Sequence, residues 1–314
     1  MSSSVATLGA RPRPGIGLIG ISHVAVLVNN LTAAKAFYCD TLGFRLIGSD
    51  VLPSCGHHVL VGTASGQLVA LCEGDKDPGL ADTGIHQGYR VTAGARDEIL
   101  ARLTRQGVEI HRYKEDRPAE DAHNIYFYDP FGNRLQLVTV EGGKAADDVL
   151  IGGIDHAAVQ AIDVEWEEKF YTRHLGLPVD HVVGWRTADY ARARAWGDGK
   201  DPMAPGCRRW DKRYNAYHGT DPVPRPNVQL FVKAGDSVLG IYLAVNHFQE
   251  PPEDDVIGLP RIAFTVPSSE LDRVTELLRD WGPMVGPVSH PSGSPRTRSL
   301  FFKDPGANFI EFCC

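Results

Sequence analysis

The 314-residue chain has no stretch approaching the roughly 18 consecutive apolar residues that span a bilayer. Nor has it a surplus of basic charge: 32 Lys and Arg stand against 39 Asp and Glu, a net charge of −7 with histidine neutral. Binding to a nucleic-acid backbone or an anionic membrane needs a concentrated basic surface, so neither is expected as a partner. The opening MSSSVATLGARPRPG lacks an apolar run of signal-peptide length before its prolines, which points to a cytoplasmic protein. The six cysteines show no CxxC spacing, and a chain this long builds a core without disulfides. Reduced thiols are therefore expected, the adjacent Cys313 and Cys314 included. No GxGxxG or P-loop opens a helix, no GxSxG elbow occurs and no Cys/His cluster has zinc spacing, which leaves nucleotide, hydrolase and structural-zinc readings without support. GIGLIG, from Gly15 to Gly20, precedes a strand and reads as part of a flexible lead-in over residues 1–17.

What the chain does contain is itself, twice. SHVAVLVNNLTAAKAFYCDTLGF alternates apolar residues as a strand, turns at an Asn pair, then runs as an amphipathic helix closed by Gly43. IDHAAVQAIDVEWEEKFYTRHLGL repeats it without a gap, with His156, Phe170, Tyr171, Leu175 and Gly176 matching His23, Phe37, Tyr38, Leu42 and Gly43. A second pair of segments also aligns. HQGYRV at His86 leads through a helix to NIYFYDPFGNRLQLV, and RIAFTV at Arg261 leads through a helix to RSLFFKDPGANFIEF. Each DPxGN-like stretch reads as a tight turn before a strand.

Four strand–helix–strands units follow, starting near residues 20, 83, 152 and 258. One unit has too little sheet to bury its own apolar face, so units are expected to pair into curved mixed sheets around a cup. The fold class is α+β, with four βαβββ modules in two domains at 18–141 and 151–314, joined by a linker at 142–150. The third unit carries an insertion at about 184–227, rich in Gly, Pro, Arg, Tyr and Trp. Such a loop is either a surface excursion or subunit contact, or a lid over a planar or anionic ligand.

The repeat, the FYxxxLGF-like helix ends and the two DPxGN turns resemble the vicinal oxygen chelate superfamily, which includes glyoxalase I, methylmalonyl-CoA epimerase, bleomycin and fosfomycin resistance proteins, and type I extradiol dioxygenases. The resemblance covers nearly all of residues 18–314 and is specific for fold rather than activity. It implies a divalent metal, Fe(II) or Mn(II) ahead of Zn or Ni, held by side chains from the first and last strands of paired units. Carried over by position, the first-strand residues are His23, His86, His156 and Arg261, and the last-strand residues are Gln136 and Glu311. Arg261 stands where extradiol dioxygenases have a second histidine, and Phe301 where they carry an acid/base tyrosine. A guanidinium beside a divalent ion is repelled, and Arg261 is expected to pair with Glu311 instead.

The favoured metal set is therefore His23, His86 and Gln136, with His156 and Glu311 as the alternative. Tyr126, at the position equivalent to Phe301, and His58 are the candidate acid/base residues. Pairing of units stays open: if the second and third units pair, the site is His86, Gln136 and His156, whereas pairing of the first and fourth sets His23 and Glu311 facing Arg261. Arg261, Phe301, Trp210 and Tyr217 are the candidate substrate contacts. His123, His174, His181, His218, His247 and His290 read as core or contact residues.

The leading functional expectation is an extradiol dioxygenase-like enzyme acting on a small catechol-type aromatic. The alternatives are a lyase or isomerase like glyoxalase I or the epimerase, which needs a carboxylate base in the cup, and a metal-free binding or resistance protein that stacks its ligand on aromatics. The expected partner is a small-molecule substrate, and a homodimer is left open.

Overall fold

In the computed structural model, the residues described are 15–75, 85–111, 124–141, 148–161, 164–183, 214–215, 223–224, 229–243 and 251–314. The first unit opens with β1 (Gly20–Val28), whose Val24, Val26 and Val28 face the main core. Asn30 then caps α1 (Leu31–Ala36), its side-chain oxygen accepting the Ala33 N–H at 2.9 Å. The helix widens over Phe37–Thr41, which buries Phe37 and Tyr38, and stops at Gly43, whose φ of +79° suits glycine. The strands β2 (Arg45–Ser49), β3 (His58–Gly62) and β4 (Leu68–Glu73) complete the unit.

The second unit comprises β5 (Gln87–Val91), α2 (Ala93–Arg105), β6 (Asn124–Tyr128) and β7 (Arg134–Thr139), and the bridge of His111 to Tyr126 stands in for a middle strand. The third has β8 (Gly153–Ala161), α3 (Val164–Glu168, widening through Lys169–His174), β9 (Val179–Val183), two short strands β10 (Tyr214–Asn215) and β11 (Val223–Pro224), then β12 (Gln229–Ala234) and β13 (Ser237–Leu243). The fourth is β14 (Arg261–Thr265), α4 (Ser268–Leu278), β15 (Met284–Ser289), β16 (Arg298–Lys303) and β17 (Phe309–Cys313).

The sheets join the first unit to the fourth and the second to the third. The eight-stranded sheet runs β15-β16-β17-β14-β1-β4-β3-β2, with β1 antiparallel to β14. The seven-stranded sheet runs β6-β7-β5-β8-β13-β12-β9, with β5 antiparallel to β8. Both sheets thus straddle the division into 18–141 and 151–314 drawn from the sequence. What links each half internally lies on the other side of the sheets. Tyr38 donates to Asp129 Oδ2 at 3.0 Å and Asn133 Nδ2 to the Leu27 carbonyl at 3.0 Å. The repeat does the same, with Tyr171 donating to Asp304 Oδ2 at 2.7 Å and Asn308 Nδ2 to the Gln160 carbonyl at 2.8 Å. Both turn aspartates also accept backbone N–H groups from their own DPxGN segments, so each buried carboxylate is satisfied and pins a helix to a turn.

One large apolar cluster, built from alternate residues of both sheets and the helices, forms the core on that side. The opposite, concave faces carry the polar residues. Residues 15–17, assigned from sequence to a flexible lead-in, are fixed at Ile16, which is buried and whose N–H donates to the Leu175 carbonyl at 3.0 Å. An apolar side chain close to a helix end gains more from packing than its glycine neighbours lose in entropy.

Candidate functional site

The two concave faces have diverged. In the seven-stranded sheet, the antiparallel register sets Gly88 opposite His156 and the parallel register sets Gly88 beside Gln136. These pairings bring residues from both halves of the chain to one point. His86 Nε2 lies 2.9 Å from His156 Nε2 and 3.1 Å from Gln136 Oε1, and all three side chains are buried. The Asp155 carboxylate lies 2.8 Å from His156 Nδ1, which places the proton on Nδ1 and leaves the Nε2 lone pair facing the cup. Gln136 Nε2 donates to Asn124 Oδ1 at 2.7 Å, which turns its oxygen toward His86.

Lone pairs converging in this way are satisfied either by a neutral His86 that donates from Nε2 or by a metal ion between them. Two metal bonds of about 2.1 Å at a right angle put their ligand atoms about 3 Å apart, and that is the spacing here. Gly88 is part of the fit: a Cβ there would lie 2.3 Å from His156 Cε1 and 2.5 Å from Nδ1. Gly240, which pairs with Ala158 on β8, presents no side chain at the matching last-strand position, and a Cβ would meet the Tyr242 ring at 2.7 Å. The residues present therefore fit a divalent ion with an open side.

Aromatic rings line that side. Tyr126, opposite Gln136 on β6, and Tyr242 have ring centroids 5.8 and 5.4 Å from His86. Phe231 lies 5.8 Å from Tyr242, and His181, expected to be a core or contact residue, stacks on Phe231 at 4.1 Å. Arg134 sits over the Tyr126 ring at 5.0 Å. Trp210 and Tyr217, together with His123, His218 and His247, lie outside the described residues.

The cup of the eight-stranded sheet holds His23, Arg261 and Glu311. Arg261 Nε donates to Glu311 Oε2 at 3.0 Å, and Ser299 donates to Oε1 at 2.6 Å. His23 Nε2 approaches Oε2 at 3.4 Å, an ion-pair contact without hydrogen-bond alignment. Burial alone would lower the His23 pKa, but the Glu311 charge, helped by Cys313, carries it to about 9. Burial would raise that of Glu311, yet His23, Arg261 and Ser299 hold it at about 2. His23, Glu311 and Cys313 each bring a donor atom within 4.8 Å of the others. The carboxylate is nonetheless committed to two cations and a hydroxyl, so these residues do not fit a metal ion as they stand. The expected pairing of Arg261 with Glu311 is what the structure contains, and it separates His23 from His86 and Gln136.

His58, expected as an acid/base residue, lies in this second cup. Its Nε2 accepts the Leu52 N–H at 3.1 Å and its Nδ1 meets the Gly56 carbonyl at 2.8 Å, so both ring nitrogens hold the 50–57 loop. Phe301 is buried, with the Arg261 guanidinium 5.2 Å from its ring centre. His290 meets Ser299 Oγ at 2.7 Å and His174 the Leu277 carbonyl at 3.0 Å. Sequence reasoning missed Asp155, Tyr242 and Phe231. Only Asp155 left a signal, as the residue preceding a first-strand histidine.

A family model described as the Glyoxalase/Bleomycin resistance protein/Dioxygenase superfamily matches residues 20–137. The uncharacterized protein YwkD of Bacillus subtilis (strain 168) is 27% identical over 124 residues, 38% of this chain and 96% of that protein. Among solved structures, a candidate dioxygenase from Bacillus subtilis superposes with a TM-score of 0.61 at 15% identity, covering 94% of this chain and 85% of that one. Glyoxalase I from Zea mays superposes with a TM-score of 0.55 at 14% identity, covering 94% and 92%. At these identities the two superpositions establish the shared fold. Among the described residues no helix is long and apolar enough to cross a membrane. Residues 20–137 thus resemble the Glyoxalase/Bleomycin resistance protein/Dioxygenase superfamily in sequence, and the chain as a whole shares its two-sheet, four-unit fold with these structural neighbours.

Proposed function

We propose that the protein is a divalent-metal-dependent, extradiol dioxygenase-like enzyme acting on a small catechol-type aromatic, with its site in the cup of the seven-stranded sheet. His86, His156 and Gln136 would hold the ion. Fe(II) or Mn(II) in such a site supplies a Lewis acid that lowers the pKa of two adjacent substrate oxygens and an open position for dioxygen. The observation that carries the reading is the approach of His86 Nε2 to His156 Nε2 and Gln136 Oε1, at 2.9 and 3.1 Å, with the His156 tautomer set by Asp155.

The chain's own residues do the rest. Phe231, Tyr242 and Tyr126 offer faces and edges for stacking against a planar ring. The Tyr126 hydroxyl is the candidate to exchange a proton with a substrate oxygen, and Arg134 packs over its ring. Asp155 and Arg90 keep His156 in one orientation.

An isomerase of the glyoxalase type needs a free carboxylate base beside the metal. Among the described residues the nearby carboxylate is Asp155, engaged by His156 Nδ1 and by Arg90 Nε at 2.9 Å, and Glu311 belongs to the other cup. This favours the oxygen-dependent reading.

The test is reconstitution of anaerobically purified protein with Fe(II), Mn(II), Zn and Ni separately, with metal stoichiometry measured for wild type, His86→Ala and His23→Gln. One ion per chain, lost in His86→Ala and kept in His23→Gln, followed by oxygen uptake with catechols, is expected. Retention by His86→Ala, or binding of no metal under any condition, would overturn the assignment.

A further inference from the structure

Two cysteines line the cup that the proposed metal does not use. Cys55 ends the short turn Pro53–Cys55 and is folded down from the 50–57 loop, while Cys72 lies on β4 with its side chain in the same small cluster as Ala25, Leu60 and Ala70. Arg261 NH2 donates to Cys55 Sγ at 3.3 Å and to Ser54 Oγ at 2.8 Å, so a guanidinium faces the sulfur directly. Cys72 Sγ donates to the Ala70 carbonyl at 3.7 Å, and both cysteines are buried in that one cluster. Backbone pairing holds the two segments together, with His58 opposite Cys72 and the Glu73 N–H donating to the His57 carbonyl at 2.9 Å.

The electrostatics of the pair are unequal. The Cys72 hydrogen bond lowers the Cys55 thiol against the effect of burial, and Arg261 and His23 assist, bringing it to about 6. The Cys72 thiol is pushed well up, first by that same hydrogen bond and then by burial. The guanidinium against Cys55 favours its thiolate and burial favours the protonated thiol at Cys72, the division of labour between an attacking and a resolving cysteine.

We propose that Cys55 and Cys72 form a redox modification site that a hydroperoxide converts to a disulfide. The Cys55 thiolate attacks one peroxide oxygen, the O–O bond breaks, and the departing hydroxide takes up a proton to leave as water, giving a sulfenic acid at Cys55. The Cys72 sulfur then attacks the Cys55 sulfur, the S–O bond breaks, and hydroxide leaves with the Cys72 proton as a second water. Two thiols are oxidised by two electrons while one hydrogen peroxide is reduced to two waters. The bond ties the 50–57 loop to β4 and removes the thiolate from Arg261. The site stands independently of the proposed metal centre, which lies in the other sheet.

Exposure alone predicts the opposite order of reactivity, because Cys39 and Cys314 are the more accessible thiols and Cys55 is buried. The protein is treated with low equivalents of hydrogen peroxide, blocked with N-ethylmaleimide and mapped by peptide mass spectrometry. The expected result is a linked Cys55–Cys72 peptide two hydrogens lighter, formed roughly tenfold or more faster than oxidation of Cys39 at pH 7. In Cys72→Ser, or Cys72→Ala if the serine variant does not fold, dimedone should trap Cys55 as the sulfenic acid, with a rate that rises at higher pH than disulfide formation in the wild type, because the hydrogen bond that lowers the Cys55 thiol has gone. Oxidation of Cys39 or Cys314 ahead of Cys55, or a Cys55 that stays alkylatable after peroxide treatment, would overturn the proposal.

Discussion

Asp155 Oδ1 lies 2.8 Å from His156 Nδ1, and its Oδ2 takes the Arg90 Nε at 2.9 Å. A partly exposed ion pair between the adjacent strands β5 and β8 therefore sets which nitrogen of a buried histidine faces the cup. A carboxylate behind an imidazole fixes the tautomer and raises the basicity of the far nitrogen. Asp155→Ala is expected to weaken metal binding by roughly 10- to 100-fold while the metal stoichiometry at saturation stays the same. Calorimetric titration with Mn(II) reads this directly, and unchanged affinity would remove Asp155 from the site.

Gly88 tests the same geometry from the opposite side. A methyl group there would lie 2.3 to 2.8 Å from three atoms of the His156 ring, so the ring must rotate away from His86. Gly88→Ala should cost roughly tenfold or more in metal affinity. The clash is confined to one ring while the pairing of β5 with β8 is kept, and the melting temperature should therefore fall by only a few degrees. A variant that binds metal like wild type would show that His156 is not a ligand.

Gln136 supplies an oxygen without charge, and ligand charge count tunes affinity for a hard divalent ion. Gln136→Glu should therefore bind Fe(II) or Mn(II) at least roughly tenfold more tightly. In the absence of metal it should be less stable than wild type, since a buried carboxylate would lack a paired cation. Comparing the melting temperatures of the apo and metal-loaded forms separates the two effects.

The second cup makes stability depend on pH. His23 titrates at about 9 in the folded state against 6.5 unfolded, so its contribution is complete below pH 6.5 and is lost as pH rises through 9. Glu311 titrates at about 2 against 4.5, so its contribution is present above pH 4.5 and is lost as pH falls toward 2. The groups facing this pair are Arg261, Cys313, Cys55 and His290. The melting temperature should therefore decline between pH 6.5 and 9, and His23→Gln should flatten that decline. An unchanged slope in the variant would assign it to other groups.

Much of this was legible in the sequence because it is written in local patterns. The strand alternation around His23 and His156, the helix stops at Gly43 and Gly176, and the turns at Asp129 and Asp304 all depend on residues within a few positions of one another. The positions His86, Gln136, His156, Arg261 and Glu311 followed from aligning the units. The roles of His58 and Asp155 did not. His58 is bound by backbone groups of the 50–57 loop, and Asp155 gains its role through Arg90, a residue of a different unit.

The sequence by itself determined the four units, the α+β class and the residues that can reach a concave face, because hydrophobic periodicity and turn chemistry are local. Which units share a sheet was decided only by tertiary structure. The first strands of the four units, β1, β5, β8 and β14, are chemically alike, and no short-range signal says which will pair; the choice depends on how four apolar faces pack into one core. That choice put His86 and Gln136 with His156 rather than with His23, and so turned one cup into a candidate metal centre and filled the other with an internal ion pair.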